Sequence, residues 1–180
     1  MTVLLDMSIG PVQGFVAQSR RTRDLWGSSY LLSFLSAHAM WGISQAGGRI
    51  VRPSVADDPL YRWVCAAGNG ALPNGDPPRI GSVPNHFVAE LEGDPAAVAE
   101  AGRQALVDAW DHLCGVIWER FLAAPAALGD GTPAIWARQT ASFWEILWTA
   151  ADSSVSAGLL ARRKHWRSHR LPDEPGDKCT

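Results

Sequence analysis

Ser8, Gly10 and Gln13 stand where a short apolar run, TVLLDM, gives way to SIGPVQG. A strand that ends in a Gly-Pro turn and passes into a helix exposes free backbone N–H groups at the helix's positive end. Such a junction suits a phosphate or the polar edge of a base. Gly10 lets a ligand come close to the backbone, and the Gln13 amide both donates and accepts. Taken alone, the turn also fits a plain helix start. Farther along, Arg20, Arg21 and Arg23 crowd one stretch, and Ser28 and Ser29 follow Trp26-Gly27. Small residues there leave room for something to approach. The arginines either meet phosphates or ride on the solvent side of a helix. A second basic run, ARRKHWRSHR, holds Arg162, Arg163 and Arg167. It reads as a solvated helix end whose cations complement the dipole, or as a contact with RNA or an acidic neighbouring subunit.

Familiar catalytic signatures are missing from the sequence: no paired-cysteine zinc pattern, no H-E-x-x-H, no G-x-S-x-G and no Walker loop. The five His are isolated and read as satisfied or solvated side chains. Asp6 sits near the end of the first apolar run without a second carboxylate placed beside it, so two-metal chemistry has no obvious ligand set and Asp6 reads as structural. Catalytic and metal-ligating residues are therefore expected to be absent from this stretch. Cys65, Cys114 and Cys179 are odd in number and far apart, which argues against a disulfide framework. With Asp6 interrupting the N-terminal apolar run, no signal peptide is expected, nor any bilayer span. A reduced, cytoplasmic protein with no membrane partner follows. A net charge of −2 argues against a general polyanion-binding surface while leaving room for local basic patches. Nine Trp in 180 residues point to large buried areas in the core or at subunit contacts.

The elements that must position these residues can be read from periodicity and punctuation. Residues 3–8 are apolar enough for a strand buried on both faces. A helical region runs from Pro11 to about Gln45, bent near Gly27, with Gly47-Gly48 as its stop. RIVRP gives a short second strand, and residues 54–83, rich in Gly, Pro, Asn and Asp, a long loop or small insertion. NHFVAELE alternates, with Phe87, Ala89 and Leu91 on one face and His86, Val88 and Glu90 on the other. Asp94-Pro95 then starts a helix with a stripe of Val98, Ala101, Ala105, Ala109, Leu113, Val116 and Phe121. Residues 125–133 read as a linker and 143–151 as a strand in which Trp144, Ile146 and Trp148 share a face. A last helix begins near Ser153. The order is α+β, βαββαβ with an extra C-terminal helix, as in a ferredoxin-like domain. Strands two and four would flank a sheet covered on one face by the two long helices. If Trp144 and Trp148 lie on the other face, that face needs a partner. The domain is expected to span 1–152, with 153–180 a helix and linker.

SIGPVQGFVAQSRRTRDLWGSSYLLSFLS resembles the hallmark that follows the first palm strand in the large palm-domain subunit of type III-B (RAMP-module) CRISPR effector complexes. SVPNHFVAEL resembles that family's Pro-Asn-Arg-Phe strand, with His86 in place of Arg. WARQTASFWEILW resembles its last palm strand, and GDKCT the lead-in to a Cys-containing segment. The resemblance covers essentially the whole chain and implies much beyond it. Members carry two ferredoxin-like palms, bind two ATP molecules between them and, on recognising target RNA, make cyclic oligoadenylates. The catalytic Gly-Gly-Asp-Asp motif belongs to the second palm, and some members add an HD nuclease. Neither motif occurs here, so this chain resembles the first palm, inactive by itself and present as a fragment or a split subunit. The resemblance implies a nucleotide pocket formed by Ser8, Gly10, Gln13, Ser28 and Ser29, with phosphates near Arg20, Arg21 and Arg23. ATP would come with magnesium or manganese held by the second palm, in cis or in trans. Implied partners are other RAMP-type subunits, with crRNA and target RNA reached through the complex. Two rival readings are a purely structural palm that docks the crRNA-bearing backbone and a free-standing RNA-binding ferredoxin-like domain.

Overall fold

The computed structural model describes residues 2–71, 75–127 and 129–152. The last helix expected from Ser153, with Arg162, Arg163, Arg167 and Cys179, lies outside the described residues. Strand β1 (Val3–Gly10) is followed by a short helix α1 (Val12–Val16), the long helix α2 (Thr22–Gln45) and strand β2 (Arg49–Arg52). Helix α3 (Pro59–Gly68), strand β3 (His86–Leu91) and helix α4 (Pro95–Ile117) come next. A π-helical turn at Trp118–Leu122, helices α5 (Ala123–Ala126) and α6 (Thr132–Ala141), and strand β4 (Glu145–Asp152) complete the order.

The four strands form one antiparallel sheet in the order β2-β3-β1-β4, so the second and fourth strands are its edges. Side-chain parity decides the two faces. Leu5, Met7 and Ile9 are fully buried, as are Phe87 and Ala89 beside them. These residues meet the helices. Met7 pairs with Trp148 and Ile9 with Ile146, so the β4 aromatics turn toward the helix-covered core rather than outward. That face requires no partner to cover the tryptophans. The opposite face carries Leu4, Asp6 and Ser8 with Val88, His86 and Glu90. There His86 Nε2–H donates to Asp6 Oδ1 at 2.6 Å, and Arg49 pairs with Glu90.

Helices α2 and α4 pack directly on each other. Both are thin at the crossing: Gly42, Ala39, Gly102 and Ala105 bring the two backbones close. The buried stripe of α4 runs through Val98, Ala99, Gly102, Ala105, Leu106 and Cys114. Phe121, expected on that stripe, is 69% exposed, because the π turn carries it off the helical register. Ser36, buried in α2, donates to Leu32 O at 2.8 Å, which satisfies its hydroxyl inside the core.

Two expectations are corrected here. Residues 54–83 are not loop throughout, since Asp58 caps α3 by accepting from Tyr61 N at 2.9 Å, with Pro59 at its start. Leu60 and Val64, one helical turn apart, bury against α2. Nor is the first helix bent at Gly27, because α2 runs straight through that position and the break lies earlier, at 17–21.

His38 on α2 meets the Phe34 ring edge-on at 4.6 Å. Burial lowers its pKa from 6.5 to about 4, because desolvation penalises the charged ring. Between those values the unfolded chain takes up a proton that the folded chain refuses. Stability is therefore full above about pH 6.5 and declines as pH falls toward about 4. The urea midpoint is expected to fall across that window and to fall less in His38→Gln. An equal slope in the variant would assign the dependence to other groups.

Candidate functional site: the cleft beside the first two helices

α1 is only five residues long, too few peptide dipoles to make the strongly positive terminus expected after β1. What fixes it is an aromatic cluster. Phe15 meets Phe143 at 5.5 Å and Trp144 at 5.2 Å, both edge-on. Trp110 of α4 closes the group against Phe143 and Trp144 and donates its Nε1–H to Thr140 O of α6 at 3.0 Å. α1 is thus clamped to the 143–144 segment that leads into β4, and through Trp110 that segment is tied to α4 and α6. The chain then leaves helical geometry and re-enters it at Thr22, with Arg21 extended (φ −135°, ψ 155°) and providing no side-chain cap. Arg21 O accepts from Asp24 N–H at 2.9 Å and Leu25 N–H at 3.1 Å, which leaves Thr22 N–H and Arg23 N–H as the first-turn donors without an acceptor inside the helix. Asp24 is the acidic residue of that turn.

Two shallow clefts flank this break. The larger, about 350 Å³, is lined among others by Phe15, Ser19, Arg20, Asp24, Gly27 and Ser28. The other, about 250 Å³, takes Ser19, Arg20, Arg21, Thr22 and Leu25. Ser28 Oγ donates to Leu25 O at 3.0 Å. With that proton spent, Ser19 is the donor in the 3.3 Å contact between the two hydroxyls. A Cβ placed on Gly27 would meet nothing within 4 Å, so the floor is open to a guest.

The structure gathers only part of the expected set. Arg20 and Ser28 share the larger cleft, and Arg21 joins Arg20 in the smaller. Ser8 is buried in β1 on the sheet's second face, opposite His86 and Leu147. Gly10 ends β1, where an added Cβ would find only ordinary contacts, Val12 N at 3.9 Å and Glu145 O at 4.0 Å. Gln13 and Ser29 are exposed on α1 and α2 and line neither cleft. Arg23 is exposed, its Nε 3.7 Å from Asp24 Oδ1. Phe15, Ser19 and Asp24 were not expected in the site. They enter because the 17–21 break folds α1 back beside α2.

Among the described residues no three His, Cys, Asp or Glu side chains converge as a metal site. Cys65 and Cys114 are free. Burial raises both thiols, Cys114 to about 11, which keeps them from being thiolate nucleophiles near neutral pH. No helix among the described residues is long and apolar enough to cross a membrane.

The model of the family described as CRISPR-associated protein Cmr2, N-terminal, matches residues 4–115. The chain belongs to this family. The matched stretch runs from β1 almost to the end of α4, so both clefts lie inside it, whereas Phe143 and Trp144 of the aromatic clamp lie beyond it. The CRISPR system Cmr subunit Cmr2 of Pyrococcus furiosus is 35% identical over 99 residues, 54% of this chain and 11% of that protein. The chain thus matches a small part of a much longer relative.

Proposed function

We propose that this chain is the ferredoxin-like first palm of the large subunit of a type III-B CRISPR effector complex, and that it forms half of an ATP site used to make cyclic oligoadenylates. Family membership supports the first part. The strand order β2-β3-β1-β4, with long helices α2 and α4 on one face, supports a ferredoxin-like reading.

One observation carries the second part. The uncapped start of α2, Arg20 and the Ser19–Ser28 hydroxyl pair face a common open cleft at Gly27. The Thr22 and Arg23 N–H groups, the helix's positive end and a guanidinium there attract phosphate, and Gly27 offers the room a ribose or base needs. Asp24 in the same wall tempers the charge. Magnesium or manganese would be held chiefly by carboxylates of the second palm, because this half of the cleft supplies Asp24 alone. Ser8, Gly10 and Gln13 would then contribute through the palm–palm boundary rather than this cleft. Partner subunits, crRNA and target RNA belong to the same proposal.

The test uses the full-length subunit in its assembled complex. Ser28→Trp fills the cleft, and Arg20→Ala removes the guanidinium. Oligoadenylate synthesis triggered by target RNA is expected to fall by about 100-fold or more in Ser28→Trp and by about ten-fold in Arg20→Ala, the latter being the scale of one charge-assisted hydrogen bond. Complex assembly and melting temperature should stay the same. Unchanged synthesis in a folded Ser28→Trp complex would leave a purely structural palm.

A further inference from the structure

The larger cleft uses the helix face of Asp24, Gly27, Ser28 and Leu31, and the core takes Leu32, Leu35, Ala39 and Ile43. A third face of α2 is used by neither. Arg23, Trp26 and Tyr30 recur there at i, i+3 and i+7, one stripe of a helix surface. Trp26 and Tyr30 stack with ring centroids 5.4 Å apart and an interplanar angle of 22°. Stacked on one side, Trp26 is still 55% exposed. Tyr30 is held from behind: its hydroxyl donates to Pro78 O at 2.8 Å. Gly81 lies so close that a Cβ there would come within 2.9 Å of Tyr30 Cα. That packing brings the 78–81 segment, which carries the 74% exposed Ile80, alongside Tyr30.

We propose that the Arg23–Trp26–Tyr30 stripe, with the 78–81 segment at its edge, is a stacking platform for single-stranded nucleic acid. A rigid, half-exposed aromatic pair offers a flat surface to an unpaired base, whatever its identity. Charge chooses this occupant over an acidic or neutral protein surface. Arg23 stands one turn before the ring, and Arg20 and Arg21, which form no ion pair with a described residue, stand just beyond it. Arg79 flanks Ile80. Of the neighbouring carboxylates, Asp24 stays 3.7 Å from Arg23 and Asp76 3.8 Å from Arg79. Both separations exceed hydrogen-bonding distance, so both guanidiniums can still bind phosphate. A strand uses ring and cations together, base on Trp26 and phosphates on the arginines. An acidic peptide would use the cations alone. Arg23, Trp26 and Tyr30 lie outside both clefts, with Arg20 on the border between platform and nucleotide cleft.

The measurement is fluorescence anisotropy of the full chain with a short labelled oligouridylate, without ATP, at roughly 50 and 200 mM salt, a range over which phosphate contacts show themselves. Trp26→Ala is expected to weaken binding by about ten-fold, the scale of one base–aromatic stack. Trp26→Phe should retain most of the affinity. Arg23→Glu should lower affinity and reduce the salt slope by about one. A duplex of the same length should bind more weakly than the single strand, since its bases are already stacked. A matching oligodeoxyuridylate separates the two sources of such a strand: equal binding fits stacking alone, and a preference for the ribo strand adds recognition of the 2′-hydroxyl. The proposal is overturned if no strand binds at the lower salt. It is also overturned if Trp26→Ala, folded by melting temperature, binds as tightly as the parent, or if only Arg23→Glu has an effect.

Discussion

Gly42→Val is expected to lower the melting temperature by about 6–12 °C, the shift that a loss of about 3 kcal/mol produces in a domain of this size. A Cβ at position 42 would lie 2.5 Å from the Ala101 carbonyl oxygen and 2.6 Å from Ala105 Cβ. The obstacle is largely backbone, which cannot swing aside as a side chain can. Across the same crossing, a Cβ on Gly102 would come within 2.7 Å of Ile43 Cγ1 and 3.1 Å of Ala39 O. Relief by a local shift on one helix is therefore blocked by the other. The two helices must separate, and α4 also carries Trp110, part of the clamp on α1. Circular dichroism melting of Gly42→Val beside Gly115→Ala makes the comparison. Position 115 is in the same helix pair, but an added Cβ there meets nothing within 4 Å, so no loss is expected from it. A Gly42→Val melting temperature equal to the parent's would refute close backbone packing at this crossing.

The strands and the long helices were legible because their signals are local. Phe87, Ala89 and Leu91 alternate with His86, Val88 and Glu90, and burial followed that alternation on the core side. Asp94-Pro95 marked the start of α4, and Asp94 does accept from Ala96 N at 2.9 Å. The same pair of residues occurs at Asp58-Pro59, where α3 was missed. The Gly, Pro, Asn and Asp residues of 69–76 dominated that window and hid ten helical residues. For α6, Pro133 near the start of the helix is the signal available, and the Gly and Pro residues of 125–133 that suggest a linker mask it. Ser8 could have been placed by parity alone. Odd positions of β1 are the apolar, core-facing ones, so residue 8 must face the other side of the sheet. The break at 17–21 had no such marker. No Gly or Pro lies within it, and its extended Arg21 follows from where the aromatic clamp holds α1. Sequence could therefore indicate Arg20 and Ser28, but the cleft that joins them to Ser19 and Asp24 is a tertiary product.

Phe15 is where that tertiary product can be undone, and Phe15→Ala should act on stability and on the cleft at once. The side chain makes two edge-on ring contacts, to Phe143 and Trp144, each adding about 0.5–1.5 kcal/mol beyond burial. Losing both is expected to cost about 2 kcal/mol, a fall of about 4–8 °C in melting temperature. The functional consequence follows from geometry. Phe15 is also a wall of the larger cleft, and the five-residue α1 has no fully buried side chain, Val12 being only partly buried against the core. Freed from Phe143 and Trp144, α1 no longer presses the 17–21 segment against α2, and Ser19 loses its fixed position 3.3 Å from Ser28 Oγ. Nucleotide affinity of the assembled subunit should then fall by about ten-fold or more, although no polar group of the cleft has been removed. Strand binding at the Trp26 platform should persist, because Tyr30 is anchored to Pro78 and not to α1. Phe15→Leu separates shape from aromaticity: it restores much of the buried area without the ring contacts, so it should recover part of both losses. If Phe15→Ala melts as predicted yet binds nucleotide as the parent does, the cleft is held open by α2 alone and the clamp serves stability only.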